Sequence, residues 1–100
     1  LAAPANLSDP DQVSRVFDRA GDAFGPVDLL VNNAGIYLMK PFVEVSWDDW
    51  RATMDVILDG AFLCARRAVP AMIERGAGLG SGVLERCGKA RPVGAACGGE

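Results

Sequence analysis

The chain has 100 residues, half of them apolar and 23% charged, with a formal net charge of −3. That size allows one small globular domain, and the composition excludes a disordered or collagen-like chain. A sequence pI near 4.8 speaks against nucleic acid and anionic membranes as partners, and the absence of histidine removes imidazole chemistry and most zinc sites.

Residues 1–5 are apolar enough for the tail of a strand, although Pro4 would remove a ladder donor. Ser8 is the expected N-cap of a first helix, with Asp9, Pro10 and Asp11 in its first turn. Val13, Val16, Phe17, Ala20 and Phe24 then repeat at helical spacing, and Gly25-Pro26 stops the element. The run Val27-Asp28-Leu29-Leu30-Val31 is short and almost wholly apolar, which predicts a strand buried on both faces. A helix, a two-residue turn and a buried strand make part of a parallel α/β unit.

Residues 36–45 read as a loop. Ser46 opens the next helix, with Asp49 three residues on as an acidic capping box. Trp47, Trp50, Met54, Ile57, Ala61, Ala65, Ala68 and Met72 recur at spacings of three and four. A continuous helix to Arg75 would be about 29 residues and about 43 Å long, with Pro70 expected to kink or divide it. Such a helix has more apolar surface than this small domain covers. Beyond Gly76 neither helix nor strand spacing is visible; the last 25 residues hold eight of the twelve glycines and read as a poorly ordered tail.

Asn32-Asn33-Ala34-Gly35 follows the strand. In open parallel sheets ligands lie beyond the carboxyl ends of strands. Ala34 and Gly35 are small where a ligand would meet the backbone, and the asparagine amides can tie a neighbouring strand or hydrogen-bond a ribose. A strand ending in an ordinary turn is the other reading.

Together with Asn6-Leu7-Ser8-Asp9 and the helix text from Gly60-Ala61-Phe62-Leu63 to Pro70-Ala71-Met72, this stretch resembles the short-chain dehydrogenase/reductase family over residues 1–78. The resemblance implies an α/β fold: a partial Rossmann-like, doubly wound parallel sheet. It would consist of the end of one strand, a helix, a buried strand and a long helix, followed by an irregular tail. A partial dinucleotide-binding domain is expected over 1–76 and a Gly/Ala-rich tail over 77–100. The implied cofactor is NAD or NADP, and the parent reaction is hydride transfer with a small alcohol or carbonyl substrate. Asn6 stands where the family commonly has an aspartate against the adenine, and Leu7 would offer backbone beside the base. Asn33, Ala34 and Gly35 would line the ribose. For Asn6, a turn residue at the start of the helix is an equal reading.

The departures from the family pattern remove the catalytic set. No glycine-rich phosphate turn occurs in this sequence. Ile57 stands at the position of the fourth-helix asparagine. The family serine would fall near Glu85, and its tyrosine and lysine near Gly98 and just past Glu100. The chain alone is therefore expected to be inactive, with no catalytic residue assigned and no metal ligand. Tyr37 and Lys40 are three apart in a loop, where the family pair is four apart on a helix. Gly76, Gly78, Gly80 and Gly82 follow a helix and fit no G-x-G-x-x-G register.

A second expectation is a non-catalytic remnant that forms a homo-oligomer through the 47–75 helix, since the family's fourth helix commonly packs on a partner subunit. Trp47 and Trp50 then serve as core or interface anchors, Arg66-Arg67 as a solvated face, and Cys64 as a small buried residue. Three cysteines without a C-x-x-C pair, no secretory signal and no run near the roughly 20 apolar residues of a membrane span lead to a cytoplasmic expectation. The start at Leu1 suggests a missing N-terminal portion. A frameshift after codon 78 in GC-rich DNA would account for the Gly/Ala/Arg/Pro/Cys mixture of the tail.

Overall fold

The computed structural model describes residues 1–81. Its elements are α1 (Pro10–Phe24), β1 (Leu29–Val31), a 3₁₀ turn (Phe42–Glu44), α2 (Trp47–Met54), a π-helical turn (Asp55–Asp59), α3 (Gly60–Arg75) and β2 (Leu79–Ser81).

The first helix begins one residue later than Ser8 would place it. The Ser8 N–H and Oγ both donate to Asn6 Oδ1, at 3.0 and 2.7 Å, so the serine serves the preceding turn. Asp9 caps instead, its carboxylate accepting from the N–H groups of Asp11 and Gln12. Pro10 takes the first helical position, where a missing N–H costs nothing. At the other end Gly25 adopts φ +81°, a conformation open to glycine, and its N–H closes onto Gly21 O.

The strand expected over 27–31 shortens to Leu29–Val31. Arg75 explains the loss: its guanidinium donates to the Val27 carbonyl at 2.9 Å and pairs with Asp28 at 3.0 Å, clasping the segment to the end of α3. Burial on both faces is also corrected. Leu29 and Val31 are 56% and 60% exposed, while Leu30 is half-buried. β1 has α3 on one side, and among the described residues no helix covers the other.

β1 and β2 pair in parallel, with Leu29 opposite Leu79 and Val31 opposite Ser81. Parallel neighbours need a long crossover, here the α2–α3 helix. β2 lies in the stretch where the sequence shows neither helix nor strand spacing; residues 82–100, where the rest of the expected tail falls, lie outside the described residues. The α/β class stands, with its doubly wound character seen only as one parallel pair and one helix layer. The 1–5 strand tail is absent among the described residues.

The capping box at Ser46 and Asp49 is formed in both directions. From there the helix runs unbroken through right-handed conformations to Gly76. Pro70 sits inside α3 on its exposed side without dividing it; the departure from α geometry is the π turn at Asp55–Asp59. α3 ends in a Schellman arrangement, with Gly76 at φ +69° and the N–H groups of Gly76 and Ala77 bonding Ile73 O and Met72 O. Gly78 then crosses Met72 so closely that a Cβ would overlap that side chain. The core is a stripe of mostly small residues on α3, formed by Ala61, Cys64, Ala65, Ala68 and Met72, closed by Val13 of α1. Arg67 and Asp18 tie the two helices at 2.6 Å.

Candidate functional site

The segment 32–35 leaves the carboxyl end of β1 and presents Asn33, Ala34 and Gly35 as exposed residues. No bulky packing walls them off. Gly35 has its open Cβ direction toward the π turn: a methyl there would lie 3.7 Å from Ile57 Cγ1, in ordinary contact. The helix thus supports one side of the ledge, and the other side is free. Asn32 is half-buried, and its Nδ2 is a buried donor without a partner among the described residues. Such a group carries the cost of lost hydration until an acceptor meets it.

The second half of the expected site, Asn6 and Leu7, arrives on the same helix. A Cβ on Gly60 would lie 3.1 Å from Leu7 Cβ and 3.3 Å from Leu7 O, so the Leu7 backbone rests directly on the glycine. Gly60 and Ile57 are three residues apart, hence neighbours on one helical surface. One stretch of helix therefore anchors both the 6–7 turn and the 32–35 ledge. Gly60 enters the family resemblance as the first residue of the helix text, without a packing role. Its signal was available: a glycine inside a helix costs about 1 kcal/mol against alanine, which calls for a packing reason.

Asn6 has the turn role. Its Oδ1 accepts twice from Ser8, and its N–H donates to Gln12 Oε1 at 2.9 Å. The side-chain oxygen that would accept from an adenine amino group is thereby engaged, leaving the amide nitrogen as the group Asn6 offers. Gln12 also donates to Asp9 Oδ2 at 2.8 Å, and this bond leads the causes that lower the Asp9 pKa.

The loop between ledge and α2 is apolar and open, with Tyr37 85% and Phe42 85% exposed. Lys40 is bound to Asp49 at 2.6 Å and belongs to the helix start. That bond, with the two from Ser46, lowers the Asp49 pKa to about 2. Trp47 and Trp50 are exposed, so neither anchors a core among the described residues. Cys64 is buried, and burial raises its thiol pKa. Asp55 and Asp59 both face Arg51, at 2.8 and 3.9 Å.

The family model for short chain dehydrogenases matches residues 1–79. A short-chain type dehydrogenase/reductase of Picea abies is 36% identical over 80 residues, covering 78% of this chain and 30% of that protein. The NADP-dependent (R)-specific alcohol dehydrogenase of Lentilactobacillus kefiri is 38% identical over 73 residues, covering 73% of this chain and 29% of the relative. Among solved structures, a short-chain dehydrogenase/reductase from Brucella melitensis superposes with TM-score 0.64 at 42% identity, over 69% of this chain and 29% of that one. A short-chain dehydrogenase from Streptomyces avermitilis gives 0.69 at 29% identity, over 75% and 28%. The chain spans about 30% of the length of these two relatives. Among the described residues no helix is long and apolar enough to cross a membrane.

Proposed function

The chain belongs to the short-chain dehydrogenase family, and from that premise we propose that residues 1–81 carry the adenosine shelf of an NAD(P)-dependent oxidoreductase. The parent reaction is hydride transfer between the nicotinamide and a small alcohol or carbonyl substrate. The observation that carries this reading is the convergence of Leu7 and Gly35 on neighbouring positions of one helix, Gly60 and Ile57.

The residues present fit the adenosine half of the cofactor. Ala34 and Gly35 are small and open, so a flat ligand reaches the backbone. Asn33 offers an amide to ribose hydroxyls, and the Leu7 backbone, held against Gly60, stands beside the base with the Asn6 amide nitrogen. When bound, the nicotinamide supplies or accepts the hydride. Proton transfer needs a positioned acid or base, and near the positions of the family serine and tyrosine this chain has Glu85 and Gly98. The isolated chain is therefore a binding shelf without turnover.

The test is a nuclear magnetic resonance titration of the 100-residue chain with adenosine monophosphate. Shifts confined to the amides of Leu7, Asn33, Ala34 and Gly35, lost in Ala34→Leu, are the expected result. Shifts elsewhere, or none, would refute the shelf. NADH turnover by this chain, abolished by Tyr37→Phe, would refute its inactivity.

A second reading is association through the 47–75 helix. It is favoured by the exposure of Trp47, Trp50, Leu58, Phe62 and Ile73 along that helix. Light scattering decides it: a monomer at all concentrations would exclude the role.

A further inference from the structure

A groove of about 300 Å³ lies between the first half of α1 and the middle of α3, lined by Pro10, Val13, Ser14, Leu63, Arg66 and Arg67. It shares no residue with the ledge. Its accessible apolar part is Pro10, which is exposed, and Leu63, which is half-buried; Val13, at 1% exposed, is closed over. Its rim is cationic. Arg67 is held by Asp18, one turn along α1 from Ser14. Arg66 has no carboxylate partner among the described residues, although acids outnumber bases 13 to 10 in the chain.

Ser14 adds a second unengaged group. A hydroxyl inside a helix commonly bonds the carbonyl four residues back, as Thr53 does to Asp49 O at 2.8 Å. The Ser14 hydroxyl makes no bond among the described residues, and Ser14 lines from α1 the same groove that Arg66 lines from α3.

We propose that this α1–α3 groove binds a small organic carboxylate. The apolar body lies on Pro10 and Leu63, and the carboxylate accepts from the Arg66 guanidinium and the Ser14 Oγ. Arginine matches a planar carboxylate with two parallel N–H donors, which a spherical hydrated anion cannot use as well. The volume is at the small end of the range for ligand sites, about 300–1,000 Å³, so the ligand is a compact one.

The experiment titrates the 100-residue chain with benzoate, and separately with inorganic phosphate, following backbone amides by nuclear magnetic resonance. Benzoate should give saturable shifts at Ser14, Leu63 and Arg66 and none at Ala34 or Gly35. Arg66→Gln should weaken binding about tenfold, the loss expected for a charge-assisted pair. Ser14→Ala, an exchange that favours the helix, should weaken it in the same direction. Arg15→Gln, an exposed cation outside the groove lining, should leave it unchanged. Three results would overturn the site: no saturation, equal weakening by Arg15→Gln, or phosphate reproducing the benzoate shifts at the same affinity. The last would mean that Pro10 and Leu63 contribute nothing.

Discussion

The contact between Gly60 and Leu7 can be tested by making one substitution at two helical glycines. Gly21 lies inside α1 with nothing within 4 Å of the position of a Cβ. Gly21→Ala should therefore show the helix preference alone, a gain of about 0.5–1 kcal/mol. Gly60→Ala gains the same preference, since its φ of −60° suits alanine, but the new methyl meets Leu7 Cβ at 3.1 Å and Leu7 O at 3.3 Å. Both atoms are fixed to the backbone, so relief requires the whole 6–7 turn to move. Overpacking of this kind costs about 1–3 kcal/mol, which exceeds the preference and leaves a net loss of about 1 kcal/mol. For a chain this size that lowers Tm by about 4–8 °C, with Gly21→Ala moving it upward. Urea and thermal unfolding followed by circular dichroism measure both. If Gly60→Ala stabilises as much as Gly21→Ala, Leu7 does not rest on the helix, and the shelf loses the support that joins its halves.

The remaining expectations concern single groups. Asn32→Leu removes a buried donor without a partner and should raise the stability of this chain by about 1 kcal/mol in urea unfolding; a loss instead would mean that the amide is satisfied in solution. Gly35→Ala places its methyl at ordinary distance from Ile57 and should leave the unfolding midpoint within about 0.5 kcal/mol. Asp49 titrates lower in the folded chain than its usual 3.8, at about 2, so its contribution is full above pH 3.8 and is lost as pH falls toward 2. The Ser46 amide resonance should follow that fall, and Lys40→Met should move its midpoint upward, because the Lys40 bond is the largest cause of the shift. Cys64 should alkylate at a rate set by opening of the α3 core, and only urea should expose it fully.

What the sequence made legible is what neighbouring residues decide among themselves. Ser46 and Asp49 form their box because three residues separate them, and Gly25 and Gly76 end helices because each takes a positive φ. The miss at Ser8 is of the same local kind: two good caps stood side by side, and the bonds from Ser8 to Asn6 Oδ1 decided between them. The larger departures all involve partners far along the chain. Arg75 removes Val27 from the strand across 48 residues, and Leu7 meets Gly60 across a similar span. Pro70 was the visible breaker, yet its lost N–H faces the exposed side of α3, where water can serve the freed carbonyl. The π turn falls where Ile57 and Gly60 receive the ledge and the 6–7 turn, and π turns recur at functional sites in helices. No local propensity at 55–59 announces it. The residues 33–35 were found from the small side chains that follow an apolar strand, a pattern readable without the fold; what holds them in place had to be seen.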